Sequence, residues 1–203
     1  MNFRSSVFAL LVVCGVSTPA WAKVAVGEPA PDFRLTDSNG KTQTLSQYKG
    51  KVVVLEWNNP ECPFVAKHYG SSNMQKQQAE ATAAGAIWLT INSGAPGKQG
   101  NLDAAGANAY IAKVGGKQTA YLFDPAGTAG HLYGARTTPH IYIIDAQGVL
   151  RYMGGIDSIA STDKEDLAKA TQYVRQALAE LKAGKPVSTA TSQPYGCGVK
   201  YES

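Results

Sequence analysis

Two apolar runs, Val52 to Trp57 and Ala86 to Asn92, flank a stretch of helical character, and that arrangement constrains this chain more than any other feature. Both runs are rich in β-branched and aromatic residues, as expected of strands buried on both faces of a sheet. The segment between them, from Pro63 to about Ala84, reads as helix. Strand, helix and strand over that span make a βαβ unit, with parallel strands and a right-handed crossover. The chain is therefore expected to adopt an α/β fold built around this unit.

The flanking segments fill in the rest. After the irregular Gly27-Glu28-Pro29-Ala30-Pro31, Asp32 to Thr36 and Lys41 to Leu45 read as short strands joined by the turn Asp37-Ser38-Asn39-Gly40. Helices are expected at Leu102 to Val114 and Gly127 to Tyr133, with a strand at Tyr121-Leu122-Phe123 between them. Ile141 to Ile144 and Val149 to Tyr152 form an antiparallel hairpin around Asp145-Ala146-Gln147-Gly148. Thr162 and Glu165 read as the capping box of a last helix, with Leu167, Ala170, Val174, Ala177, Leu178 and Leu181 on one face and Gly184 and Pro186 as its stop. Val187 to Ser203 has no periodicity.

The start of the chain carries a separate signal. A basic opening through Arg4, an apolar run from Val7 to Val16 and the small-x-small Ala20-Trp21-Ala22 read as a secretory signal peptide over residues 1–22. The apolar run is too short to span a bilayer, so no membrane span is expected after cleavage, and the periplasm is the expected location. The expected division is 1–22 signal peptide, 23–186 one domain, and 187–203 a C-terminal tail. The formal charge of +4 is scattered along the chain, which offers no footprint for nucleic acid.

Of three cysteines, Cys14 leaves with the signal peptide and Cys62 and Cys197 remain. In an oxidising compartment these two are the natural pair. They could be a staple, stabilising by about 4–5 kcal/mol through loop closure, or a reactive site. The surroundings of Cys62 bear on that choice. In Trp57-Asn58-Asn59-Pro60-Glu61-Cys62-Pro63, the proline suits the first helical turn and places Cys62 at the N-cap. Free N–H groups and the positive end of the helix dipole there favour thiolate, the nucleophilic form. Glu61 pulls the other way. His68, His131 and His140 lack a metal-ligand spacing with Cys62, and the Gly-containing stretch 92–100 lacks the Lys-Ser/Thr pair of a phosphate loop, so neither metal nor cofactor is expected. Trp57 is expected in the core or as a wall of the site.

The stretch Gly27-x-x-Ala30-Pro31-Asp32-Phe33-x-Leu35-x-Asp37-x-x-Gly40-Lys41, with Leu45-Ser46-x-Tyr48-Lys49-Gly50-Lys51, resembles the N-terminal signature of the redoxin group: peroxiredoxins, the alkyl hydroperoxide reductase/thiol-specific antioxidant family and periplasmic thioredoxin-like oxidoreductases. Cys62-Pro63-Phe64-Val65, Ile91-Asn92-Ser93, Tyr133-Gly134-Ala135-Arg136-x-Thr138-Pro139, Tyr152-x-Gly154-x-Ile156-Asp157 and Gly196-Cys197-Gly198-Val199-Lys200-Tyr201 look closest to its peroxiredoxin-like thioredoxin-fold branch. The resemblance implies a thioredoxin fold, a mixed sheet with helices on both faces and an N-terminal extension. It puts Cys62 at the first active-site cysteine, Pro139 at a facing cis-proline and Thr138 in backbone contact with a bound partner. Trp57, Asn59, Pro60, Glu61 and Pro63 would surround the thiol.

Two departures qualify the chemistry. Val65 stands where thioredoxins carry a second cysteine, which leaves Cys197 as the resolving thiol; Leu55 and Asn59 stand where peroxiredoxins carry proline and threonine. The resemblance thus implies a thiol–disulfide oxidoreductase acting on a disulfide, with a thioredoxin-like electron donor. A thiol peroxidase acting on hydroperoxides is the alternative, and a binding protein with a structural disulfide is a third possibility.

Overall fold

The computed structural model describes residues 24–202, so the expected signal peptide and Cys14 lie outside the described residues. The strands are β1 (Arg34–Asp37), β2 (Thr42–Thr44), β3 (Val53–Trp57), β4 (Ile87–Asn92), β5 (Ala120–Phe123), β6 (Thr137–Thr138), β7 (His140–Ile144), β8 (Leu150–Gly154) and β9 (Cys197–Gly198). The helices are α1 (Pro63–Gly70), α2 (Asn73–Ala83), α3 (Ala104–Val114), α4 (Thr128–Tyr133) and α5 (Tyr173–Lys182). Seven strands form one sheet in the order β2-β1-β5-β4-β3-β7-β8, and β6 and β9 form a separate pair. β3, β4 and β5 run parallel, and β7 returns antiparallel beside β3. The expected βαβ unit and C-terminal hairpin are both present.

Period-two alternation divides the sheet's side chains between two cores. Val53, Leu55 and Trp57 of β3 join Leu89, Ile91, Tyr142 and Ile144 under Phe33 and α4. Val54, Trp88, Ile141, Ile143 and Tyr152 point the other way and are covered by Val65 of α1, Met74 and Ala81 of α2, and Val174 and Ala177 of α5. Each fully buried aliphatic side chain here contributes about 1.5–3 kcal/mol.

Three expectations need correction. The single helix from Pro63 to Ala84 is broken into α1 and α2 at Ser72, whose φ of 62° no α-helix accommodates. Gly70, Ser71 and Ser72 are weak helix formers, and the Ser71 hydroxyl instead donates to His68 O (3.1 Å). The capping box does not form either. Glu165–Ala168 is one turn of 3-10 helix, and the Glu165 amide donates to Asp163 Oδ1 (2.9 Å), with no part for Thr162. Mutual hydrogen bonds between Ser158 and Thr171 (3.1 and 2.9 Å) clamp the chain there, and helix resumes only at Tyr173. Leu167 and Ala170 therefore lie before α5. Gly184, at φ 67°, closes it as expected.

The third correction concerns the tail from Val187, whose lack of periodicity predicts no regular structure. Along the free edge of β8, Met153 N donates to Ala190 O (3.1 Å) and Ser192 N to Met153 O (3.2 Å); β9 pairs with β6, the Ala95 amide donates to Lys200 O (2.8 Å), and Tyr201 Oη donates to Ala135 O (2.8 Å). Non-covalent contacts order the segment.

Candidate active site at the α1 N-terminus

β3 ends at Trp57, and the loop to Cys62 is folded by its own polar groups. Asn58 N donates to Ile91 O (2.8 Å), Glu61 N to Asn59 Oδ1 (2.9 Å) and Cys62 N to Asn59 O (3.0 Å). Cys62 is the N-cap of α1, with extended backbone angles and Pro63 in the first turn, as the sequence predicts. Asn59 Nδ2 donates to Gln99 O (3.3 Å) and Glu61 accepts from Gly100 N (3.2 Å). Both side chains thus tie the active-site loop to 99–100. Pro60 is half-buried and Pro63 exposed. Trp57 is a core residue, packed on Tyr133 and Tyr142, and its indole N–H donates to Ser93 Oγ (3.0 Å), which donates to Asp124 (2.6 Å).

The sulfur of Cys62 is fully buried, and its S–H donates to Thr138 O at 3.0 Å. The Thr138–Pro139 peptide is cis. Thr138 is also where the tail docks: Thr138 pairs with Cys197 and Thr137 with Gly198 in antiparallel register, and Val199 N donates to Arg136 O (3.0 Å). Residues more than fifty positions apart in sequence thereby become neighbours across one short ladder. Cys62 and Cys197 are both free thiols in this structure, whereas a bond between them was expected. Cys197 is half-buried and lies over Cys62.

The two thiols ionise differently. Burial opposes ionisation of Cys62, but hydrogen bonds from the Cys197 thiol, from Thr138 and from the Val65 amide outweigh it and hold Cys62 below the ordinary thiol value. Cys197 is pushed up to about 11 by burial and by the Cys62 sulfur it bonds to. The pair titrates as a unit, the first proton leaving Cys62 and the second staying on Cys197.

Two buried polar clusters escaped the sequence reading. Glu56, in the middle of β3, is fully buried and accepts hydrogen bonds from Asn58, Tyr69, Gln78, Trp88 and Thr90 at 2.8–3.2 Å. Burial raises its pKa despite those donors. Its one signal was a carboxylate inside an otherwise apolar run. The second cluster links α1 to the tail. Lys67 Nζ and His68 Nε2 each lie 3.9 Å from Asp157 Oδ2, and Tyr195 Oη donates to Asp157 Oδ1. Desolvation, then the Lys67 charge, depress His68 to about 3, so its ring is neutral. Asn73 Nδ2 donates to His68 Nδ1 (2.9 Å), which leaves the Nε2–H to reach Tyr195 Oη (3.3 Å).

The other histidines stand apart. His140 shares the sheet face of Tyr142, opposite the core containing Cys62, and its Nδ1 accepts from Arg136 N (3.3 Å). His131 stacks on Tyr201, ring centroids 4.1 Å apart.

Residues 26–153 match the AhpC/TSA family model, a span that includes Cys62 and Pro139 and stops short of Cys197. The thiol:disulfide interchange protein DsbE of Allochromatium vinosum is 24% identical over 79% of this chain and 80% of its own length. Peroxiredoxin Q of wheat, Triticum aestivum, is 30% identical over 70% of this chain and 61% of its own. A conserved protein of Geobacillus kaustophilus shares the fold with a TM-score of 0.75 at 23% identity, covering 89% of this chain and 94% of that one. The fold is that of thioredoxin, elaborated at its N-terminus, and the chain belongs to the AhpC/TSA family.

Proposed function

We propose that this protein is an exported thiol–disulfide oxidoreductase in which Cys62 is the nucleophile and Cys197 the resolving thiol. The observation that carries the reading is the β6–β9 pairing, which sets a readily ionised thiol against one that keeps its proton. The Cys62 thiolate attacks one sulfur of a substrate disulfide, forming a mixed disulfide and releasing the first substrate thiolate. Cys197 then loses its proton and attacks the Cys62 sulfur. The Cys62–Cys197 bond forms, the second substrate thiolate leaves, and two electrons have passed from protein to substrate. An external dithiol, of the kind a thioredoxin-like donor presents, returns them. The domain of residues 23–186 supplies the nucleophile and the tail of 187–203 the resolving group. The signal-peptide pattern of residues 1–22 supports export to the periplasm.

Kinship with peroxiredoxin Q favours peroxide reduction as the second reading. Against it, Asn59, at the position of the peroxiredoxin threonine, has both side-chain groups engaged by backbone, whereas fast peroxide reduction needs donors aimed at the peroxide oxygens.

Iodoacetamide labelling of Cys62 across pH, in Cys197→Ala and in the parent, tests the assignment. In the parent the Cys62 midpoint is expected below the roughly 8.5 of an unperturbed thiol, and in the variant, which loses the Cys197 donor, it moves up. A parent midpoint at or above the ordinary value refutes Cys62 as the activated nucleophile. Stopped-flow oxidation by hydrogen peroxide and by a small disulfide ranks the two substrates; the disulfide is expected to be the faster.

A further inference from the structure

β6 is a two-residue strand whose sole pairing partner among the described residues is β9. A strand edge beside a reactive thiol is a template for any extended polypeptide, because main-chain hydrogen bonds give affinity without regard to sequence. Here the chain's own tail fills that edge. It lies antiparallel, places a cysteine opposite Thr138, and leaves the Cys62 sulfur fully buried.

The tail is fitted to the place. Gly196 has φ +133°, and a Cβ there would stand 2.0 Å from Thr138 O, so only glycine permits this approach. Tyr195 packs edge-on against Phe64, ring centroids 5.8 Å apart, and its hydroxyl enters the Asp157–His68 cluster behind α1. That hydroxyl is a latch on the segment, two residues before Cys197. Tyr195 Oη and the Ile159 amide both donate to Asp157 Oδ1, while Lys67 and His68 face Oδ2 at 3.9 Å, so Tyr195 is the donor that reaches this buried carboxylate from the tail side.

We propose that Tyr195–Lys200 is a built-in pseudosubstrate, seated where a cysteine-containing polypeptide in extended conformation pairs with Thr137–Thr138, and that Tyr195 is the positioning residue holding it there. The proposal rests on Cys62 being the nucleophile. It adds that an incoming extended polypeptide disulfide must compete with the tail for this one ladder.

The test uses the full chain in a Cys197→Ser background, so that mixed disulfides at Cys62 accumulate. Two probes carry the same chromogenic aryl leaving group: an aryl disulfide of cysteine alone, and an aryl disulfide of one cysteine within an unstructured peptide of about fifteen residues, long enough to pair along the ladder. In both, the Cys62 sulfur bonds to the cysteine sulfur, the bond to the aryl sulfur breaks and the coloured aryl thiolate leaves. The quantity read is the ratio of peptide to small-probe rates. Gly196→Ala drives the tail off Thr138, and Tyr195→Phe removes the latch hydroxyl while keeping the ring on Phe64. Each is expected to raise the ratio, roughly tenfold for Gly196→Ala if it frees the ladder's hydrogen bonds. An unchanged ratio in both variants overturns the proposal. Failure of both probes to release aryl thiolate from the parent and from either variant is a different failure: it removes Cys62 as the nucleophile and takes the pseudosubstrate with it.

Discussion

The strand–loop–helix around Cys62 and the tail around Cys197 present two thiols to each other by opposite means. The first is built from regular hydrogen bonding, five ladder positions shared with each of β4 and β7, with every β3 side chain buried. The second has two residues of strand and is otherwise held by separate anchors: Ser192 on Tyr152 and Gly155, Tyr195 on Asp157, and Tyr201 on His131 and Ala135. A thiol on a rigid sheet and a thiol on a locally held segment thus share one site. A structure spread over a sheet opens only with global unfolding, whereas one held at a few points opens locally.

Breaking either side of that contrast should produce effects of very different size. Cys62→Ser should lower disulfide exchange by at least about 10³-fold, as loss of a nucleophile does; the remaining rate comes from Cys197, whose ionisation burial still opposes. Steady-state reduction of a small disulfide measures this, and a loss of only a few fold would mean that Cys197 is the entry point. Glu56→Ala should destabilise the protein by about 3 kcal/mol or more, because several buried donors lose their acceptor at once. Denaturant titration reads the change.

Glu56 also sets a pH dependence. Its folded pKa is raised, so its contribution is fully present below the unfolded carboxyl value and is lost as pH rises through the folded one. In that window the parent should lose stability relative to Glu56→Gln as pH increases; parallel stability curves would refute it. At the small end, Tyr201→Ala should change global stability by less than about 1 kcal/mol while speeding hydrogen exchange at Val199 and Ala95, whose amides donate to Arg136 and Lys200. Unchanged exchange at both amides would show that Tyr201 does not hold the tail.

Legibility in the sequence follows the same divide. Val52 to Trp57, Ala86 to Asn92 and the 141–152 hairpin were readable because burial on a sheet leaves a local pattern. Cys62 was readable as an N-cap because Pro63 marks a first turn. The break at Ser72 was not, since one left-handed residue has no periodicity, and neither was the clamp between Ser158 and Thr171, which suppresses a plausible capping box by a contact thirteen positions away. The tail was opaque for the same reason: Tyr195, Gly196 and Tyr201 carry no local pattern, and their meaning lies in Asp157, Thr138 and Ala135, remote in sequence. Gly196 was visible as part of a motif but not as a point of close approach.

The ladder between β6 and β9 also fixes an effective concentration. A thiol on a flexible tether reaches its target at roughly millimolar effective concentration, and one held in register against it acts at far higher values. In the mechanism proposed above, a mixed disulfide on Cys62 formed with the tail docked would be intercepted before bulk thiols could compete, so its lifetime would be short. On the same proposal, a bound polypeptide that lifts the tail from Thr138 would return Cys197 to the tethered regime and lengthen the life of its own covalent complex.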